Sequence, residues 1–539
     1  MATLDWIILV LFLFTLIGIV YWVVKHEKDD TSDYFLSGRS ETWLAVGAAI
    51  FAANIGSEHL VGLAGAGAES GMAMAHWEMQ GWMILILGWV FVPFYAHSKV
   101  FTMPEFLLRR FNKNTSSTLS LITLISYVLT KVSVTAFTGG IFLQSVMGID
   151  FWTGAIGLVL LTGIFTVLGG MKGIMRVSVI QAPILILGAI TILILGLLKL
   201  GDGSIIAGWT EMVHYTGDKM HLFHSKGDPL YDKFPGVSVI IGASIIGFWY
   251  WCTDQHIVQR ALAAKNLNHA RKGTIFAGFL KLLPVFMFLI PGMVAAALKA
   301  KGIAGFDFDS NDKAYGTMVS TLLPMGIKGI VIVGFVSALM VSLAAHFNSS
   351  ATLFTIDFYK HYKPEASEHQ LVWIGRLATI SVVVLGLVWI PIMKGLGDVL
   401  YEYLQNVQSL IAPAIAAVFI MGVFSRRITP KAGEWGLLIG FLIGMFRLVI
   451  MIFKPAAFQW LLDINWLNFC IFLFVFTMLV MVVVSLFTPP AAEEQIKNLT
   501  YRSQTPEQMK EIRESWNAWD VVTSLMVVGL CVAFYIIFW

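Results

Sequence analysis

The stretch from Ala48 to Gly81 reads AAIFAANIGSEHLVGLAGAGAESGMAMAHWEMQG. It is apolar enough to sit in a membrane, yet it carries Asn54, Glu58, His59 and Glu78 and is interrupted by Gly56, Gly62, Gly65, Gly67 and Gly71. Both features cost stability in lipid. Ionisable groups at membrane depth line cavities or pathways, and irregular backbone survives there only where protein or water satisfies it. The stretch therefore predicts a broken helix lining a polar cavity.

The rest of the chain supplies the membrane context. Of 539 residues, 57% are hydrophobic and 13% charged, and the mean hydropathy is +0.78, more apolar surface than one soluble core can bury. Apolar runs of roughly 18 residues or more predict about fourteen spans, near 4–24, 43–68, 72–98, 118–147, 152–169, 176–199, 237–260, 274–300, 328–357, 371–393, 399–424, 434–453, 467–488 and 519–538. The first has no basic residue before it and no small-residue cleavage site after it, so it is expected to be a retained helix and not a signal peptide.

With the N-terminus outside, about 23 of the 36 Lys and Arg fall on the cytoplasmic side and about 10 outside, as the positive-inside rule requires. The inner clusters are Lys25/Lys28/Arg39, Lys99/Arg109/Arg110/Lys113, Lys265/Arg271/Lys272, Arg426/Arg427/Lys431 and Lys497/Arg502/Lys510/Arg513. An even number of spans places Trp539 outside as well. The net charge of +3 is then a topology signal, and no basic stripe or stacking platform points to nucleic acid. Cys252, Cys470 and Cys531 fall in or beside spans and form neither a disulfide framework nor a metal-ligand spacing.

A second interruption matches the first. The seventh span carries Gly242, Gly247 and then the polar knot Trp249-Tyr250-Trp251-Cys252-Thr253-Asp254-Gln255, five spans after the Asn54-Ile55-Gly56-Ser57 break. Interrupted helices opening two five-span halves are the pointer to an inverted-repeat transporter with its sites near the midplane. The expected organisation is a flanking helix and cytoplasmic loop over 1–42, repeat one over 43–199, an external loop over 200–236, repeat two over 237–424, and flanking helices over 425–539 with a cytoplasmic loop at 489–518. The external loop reads as a solvated surface, so His221 and His224 are expected to be exposed.

Several ordered strings are specific: Asp33-Tyr34-Phe35-Leu36-Ser37-Gly38-Arg39, the Asn54 break, Thr102-Met103-Pro104-Glu105-Phe106, Trp249 to Gln255, Gln259-Arg260, and Phe347-Asn348-Ser349 through Asp357. Together they resemble the sodium/glucose cotransporters of the solute:sodium symporter family, nearly continuously from about residue 33 to 425. The resemblance implies an all-α polytopic membrane protein of the LeuT type, a five-plus-five inverted repeat with flanking helices.

A hexose site needs neutral donors and acceptors, one or two charged groups and an aromatic face. By resemblance, Asn54, His59, Glu78, Lys281 and Gln405 fall at the family's sugar-bonding positions and Tyr250 at its stacking and inner-gate position, with Trp251 adjoining. Leu63, Trp77 and Tyr401 match outer-gate positions. Plainer readings stand beside these: a structural ion pair for Glu78 and Lys281, a core histidine for His59 and an interfacial anchor for Trp77. Lys131, Asp254, Arg260, Asp357 and Arg447 read as structural charges, whereas Glu402, one turn from Gln405, is placed to line the same cavity. Gly247 departs from the resemblance, because members have Asn or Thr there and a hydrogen bond to sugar is lost.

The resemblance also implies a sodium cage of backbone carbonyls from Ala52, Ile55 and Ala338 and two serine hydroxyls. Here the serine pair reads Val341-Ser342, and a nearby aspartate is replaced by Ser178. Valine cannot ligate a cation. Arg176 stands two residues before Ser178, with Lys172 a turn earlier, so one expectation is that the Arg176 guanidinium takes the place of sodium. The other is that Arg176 and Lys172 mark a cytoplasmic helix end and that Ser342 with the carbonyls suffices. His59, His76 and His346 are the candidates for a proton-coupled variant.

The expected function is alternating-access transport of a hexose such as glucose or galactose across a lipid bilayer, with sodium doubtful and sodium-independent transport favoured. No organic cofactor and no enzyme chemistry are expected. The alternatives are an ordinary sodium-coupled sugar or inositol symporter and a membrane sugar sensor that binds without carrying. Short loops and few cysteines favour a bacterial inner membrane. The sequence sets no oligomeric state.

Overall fold

The computed structural model describes all residues other than 1, 27–30, 57, 99 and 394–399. Lys28, Ser57 and Lys99, and the side chains of Asp33 and Glu402, lie outside the described part. The described residues form helices and loops with no β-strand.

Among the described residues ten helices are long and apolar enough to cross a membrane, Trp43–Asn54 and Ser238–Thr253 are shorter apolar helices, and Thr3–His26 is an apolar helix of 24 residues. The gap between ten and the fourteen expected has a local cause. The second and seventh expected spans are the two short helices, the fifth and sixth run together as Phe151–Leu200, 50 residues long, and the first is the helix Thr3–His26. That helix turns at Gly170, whose φ of 48° and ψ of −154° suit a residue without Cβ.

The two short helices are the interrupted ones. Trp43–Asn54 stops at Ile55, which is extended at φ −79° and ψ 96°, and helix resumes at Glu58. Ser238–Phe248 continues through Trp249–Thr253 and stops at Asp254, φ −81° and ψ 130°, before Gln255–Leu262. An extended residue inside a helix leaves nearby backbone groups without helical partners. At the second break Tyr127 compensates: its hydroxyl donates to Asp254 Oδ1 and accepts from the His256 amide at 3.2 Å.

Small residues then set the approach of neighbouring helices. A Cβ on Gly47 would stand 2.5 Å from the Phe276 ring and 2.8 Å from the Gly273 carbonyl oxygen, so Trp43–Asn54 and Leu267–Leu280 pack backbone against backbone. This brings Lys281, just past the end of one helix, beside Asn54 at the end of the other. Phe151–Leu200 packs along Ile327–Leu353, and the apolar window of Ile327–Tyr362 is 94% buried. In contrast, Pro430–Phe453, Trp466–Phe487 and Ala518–Ile537 are 33%, 28% and 22% buried over theirs, which makes them peripheral.

Beyond Asp254, side-chain amides join segments far apart in sequence. Gln255 Nε2 donates to the Phe101 carbonyl at 3.1 Å and its Oε1 accepts from the Met103 amide at 2.9 Å. Gln259 Nε2 donates to the Phe35 carbonyl at 2.6 Å and to Thr352 Oγ1 at 2.9 Å. Asp357 accepts from Thr102 Oγ1 at 2.7 Å and Ser120 Oγ at 3.1 Å. The ordered strings of the sequence are thus one bonded layer closing that side of the break.

The 200–236 segment, expected to be an external loop, is more structured than its composition suggests. It contains the helix Ile205–Thr216, and Leu222 N donates to the Phe538 carbonyl at 2.7 Å, tying it to the last helix. His224, expected to be exposed, is buried, with Nδ1 2.9 Å from Asp228 Oδ2.

Candidate functional site

The two breaks and the end of Leu267–Leu280 converge on a buried polar cluster. Lys281 Nζ donates to Glu78 Oε2 at 2.5 Å and to Asn54 Oδ1 at 3.1 Å. Asn54 Nδ2 donates to the Tyr250 hydroxyl at 3.2 Å. Tyr401 OH donates to Glu78 Oε1 at 3.0 Å, and His59 Nε2 lies 3.5 Å from the same oxygen. Five elements meet here through one carboxylate and one ammonium. A buried charge pair is tolerable only when its remaining donors and acceptors are also engaged, which the surrounding amide and hydroxyls do.

The surrounding wall holds Gln405, Trp251 and Trp77 from the sequence expectation. Lys281 Nζ lies 5.4 Å from the Trp251 ring centroid, within cation–π range. Trp77 stacks on Trp466 at 5.7 Å and 18°. Tyr401 packs against Gly62, where a Cβ would meet the Tyr401 Cβ at 2.7 Å. Leu63 is fully buried in the same apolar cluster as Trp77 and Tyr401 but is not on the cavity wall.

Six wall residues fall outside the expected binding set: Ile246, Gly247 and the polar Glu58, Gln80, Lys131 and Gln408. Lys131, expected to be a structural charge, lies 3.6 Å from Glu58 Oε1 and 4.8 Å from the Tyr250 ring centroid. Its signal was an ionisable group inside an apolar span. Gln80 and Gln408 are uncharged and gave no comparable signal.

The cavity enclosed by these groups is about 30 Å³, room for a water and not for a six-membered ring. The polar groups bond one another across it. A polyol entering the site would have to part them and replace those bonds with its own hydroxyls.

Next to the first break, Ser342 Oγ lies 2.7 Å from where a Gly56 Cβ would stand, and it is buried without a hydrogen-bond partner among the described residues. Ala52, Ile55, Ala338 and Val341 are fully buried. An orphaned hydroxyl beside an interrupted helix fits an oxygen ligand for a small hard cation. Ser178 is buried, and its hydroxyl donates to the Ile174 carbonyl at 2.7 Å, which fixes its proton and leaves its lone pairs uncommitted. The expectation that Arg176 replaces the cation is corrected: its side chain is 44% exposed, 3.6 Å from Glu41 Oε2, and over the Trp22 ring. Its guanidinium is thus paired with the buried Glu41 carboxylate.

Comparison with known proteins agrees with this arrangement. A family model described as "Sodium:solute symporter family" matches residues 34–440. The chain is 36% identical over 532 residues to the rabbit (Oryctolagus cuniculus) sodium/myo-inositol cotransporter 2, covering 92% of this chain and 78% of that protein. It is 34% identical over 545 residues to the zebrafish (Danio rerio) sodium/glucose cotransporter 4, covering 95% and 82%. These relatives are animal proteins and lend no support to a bacterial origin. Among solved structures, a substrate-bound, outward-open sodium-coupled sialic acid symporter superposes with a TM-score of 0.77 at 19% identity, covering 91% of this chain and 99% of that one. At that identity the likeness concerns the fold, which is the LeuT type. With the broken helices, the polar cluster between them and a match covering three quarters of its length, the chain belongs to the sodium:solute symporter family.

Proposed function

We propose that this protein is a sodium-coupled symporter of a small neutral polyol, a hexose or an inositol, working by alternating access. The observation that carries the proposal is the buried network of Asn54, Glu78, Tyr250, Lys281 and Tyr401 at the two breaks. It presents amide, hydroxyl, carboxylate and ammonium groups to one cavity with Trp77, Tyr250 and Trp251 around it, the mixture that ring hydroxyls and an apolar ring face require. The near balance of Glu58 and Glu78 against Lys131 and Lys281 favours an uncharged substrate.

In this reading His59, Gln405 and Trp251 complete the substrate site, Tyr250 closes it towards the cytoplasm, and Leu63, Trp77 and Tyr401 close it towards the outside. Sodium is held by the carbonyls of Ala52, Ile55 and Ala338 and by Ser342 Oγ. Sodium coupling is preferred to sodium independence because Ser342 Oγ is orphaned at the break while Arg176 is engaged with Glu41. The two repeats, 43–199 and 237–424, rock about the site. The charge distribution of the loops favours both termini outside.

The test is uptake of labelled glucose and labelled myo-inositol into proteoliposomes, with a sodium gradient compared with potassium alone. Concentrative uptake of either solute with sodium only is expected. Binding without flux under every gradient would instead make the protein a sensor, and equal flux in potassium would make it a uniporter.

A further inference from the structure

Gln80 is the wall residue whose surroundings are the most specific. Its side chain is 4% exposed. Nε2 donates to the Ala243 carbonyl at 2.8 Å, and Oε1 accepts from Trp251 Nε1 at 3.1 Å. A primary amide has two N–H donors and two acceptor sites. One of each is used, which leaves one N–H and one acceptor site on a residue that lines the cavity.

The amide can stand there because residue 247 is glycine. A Cβ on Gly247 would lie 2.5 Å from Gln80 Oε1, 2.7 Å from its Cδ and 2.8 Å from Nε2. All three distances are shorter than real Cβ contacts, so any side chain at 247 and the present Gln80 conformer exclude each other. Gly247 belongs to the second broken helix and Gln80 follows the Ala75–Glu78 turn of the first half. The polar group that would ordinarily be carried by one helix is delivered across the cavity from the other.

We propose that Gln80 is a specificity-determining residue of the substrate site, its carboxamide occupying the space vacated at Gly247 and pairing with one ring hydroxyl as both donor and acceptor. The inference rests on the polyol reading of the cavity. A hydroxyl is the one common neutral substituent that donates and accepts at a single atom, so an amide with one free donor and one free acceptor discriminates a hydroxyl from hydrogen or an ether at that ring position. It also holds Trp251 through its Nε1, so its placement fixes the ring face beside it.

The test compares Gln80→Met, Gly247→Ala and the double variant in proteoliposomes, measuring inhibition of labelled substrate uptake by myo-inositol, glucose, galactose and the monodeoxy glucoses. Gln80→Met keeps the length and removes the donor and acceptor. Gly247→Ala keeps the amide and displaces it. Each single variant is expected to weaken competition by the preferred polyol about tenfold, the scale of one hydrogen bond, and to erase the penalty for deoxygenation at one ring position. The double variant is expected to be no worse than Gln80→Met, because the two changes remove one interaction. A further variant, Gln80→Ala with Gly247→Asn, returns an amide from the other helix and is expected to restore discrimination.

Deoxy profiles identical to the parent in both single variants, with monodisperse protein that still transports, would overturn the role of Gln80. If Gln80→Met does not fold, Gly247→Ala and the amide-swap variant decide the same point. Failure of the unaltered protein to carry or bind any of these polyols would instead overturn the function proposed above and is seen before any variant is made.

Discussion

Lys281 Nζ and Glu78 Oε2 are 2.5 Å apart, with side chains 4% and 0% exposed. Each charge is compensated chiefly by the other, so removing one leaves the second buried and unpaired. Lys281→Met is expected to cost about 3–5 kcal/mol of stability, read as a lower thermal midpoint, and to abolish uptake. Lys281→Arg keeps the charge but replaces a compact ammonium by a planar fork. It is expected to recover much of the stability and little of the transport, which separates the structural part of the pair from its part in binding.

Tyr250 offers two separable contacts. Its hydroxyl accepts from Asn54 at 3.2 Å, and its ring faces Lys131 at 4.8 Å. Tyr250→Phe removes the first and keeps the second, so apparent substrate affinity is expected to fall about three- to tenfold, the effect of roughly 1 kcal/mol, without loss of sodium dependence. Tyr250→Ala removes both and is expected to leave no measurable uptake. Dose–response curves in the presence of sodium check both.

Asn54 and Glu78 stood out because polar and charged groups are conspicuous in an apolar run, whereas Lys281 came into view through the family resemblance. Gln80 lies two residues from Glu78 and looks like more of the same break; Gly247 stood out as a missing polar group, but no local pattern joins the two positions that the fold brings together. Arg176 misled for the converse reason. Its neighbours in sequence suggested the ion cage, but its partner Glu41 lies 135 positions away and no local pattern joins them. The fold was legible from the two breaks, while the span count was blurred where Gly170 joins two helices without a loop.

Arg176 provides a direct check on that correction. Its contact with Glu41 is half exposed on the arginine side, and such pairs contribute about 0–1 kcal/mol. Glu41 also accepts a hydrogen bond from Ser37 Oγ at 2.5 Å, so it keeps a partner when Arg176 is lost. Arg176→Gln is expected to leave the sodium dependence of uptake unchanged and to lower the thermal midpoint slightly. A guanidinium acting as the coupling cation would give the opposite result, a marked gain or loss of sodium dependence.

Gln259 is the knot of the layer below Asp254. Besides its bonds to Phe35 and Thr352, its Oε1 accepts from Ser349 Oγ at 3.2 Å and from Gln255 Nε2 at 3.4 Å. Gln259→Leu retains the volume and removes all four bonds. The closed layer is then less favoured relative to its open form, and a cysteine introduced at Thr352 is expected to label faster with a membrane-impermeant thiol reagent than in the parent carrying the same cysteine. The three native cysteines are buried and free, so a background without them makes the readout specific.

Ser342 tests the coupling ion itself. Its hydroxyl is buried beside Gly56 with no hydrogen-bond partner among the described residues, so Ser342→Ala removes a ligand without orphaning any protein group among them. Replacing an unpartnered polar atom in a buried site costs little folding energy and relieves its desolvation. Thermal stability without sodium is therefore expected to be equal to or slightly above the parent's. The sodium-induced rise in the midpoint, present in the parent by mass action, is expected to shrink, and the sodium concentration for half-maximal uptake to rise about tenfold or more, the equivalent of 1.4 kcal/mol or more. If both quantities match the parent's, Ser342 is not a sodium ligand, and the Ala52, Ile55 and Ala338 carbonyls lose their only side-chain companion in the proposed cage.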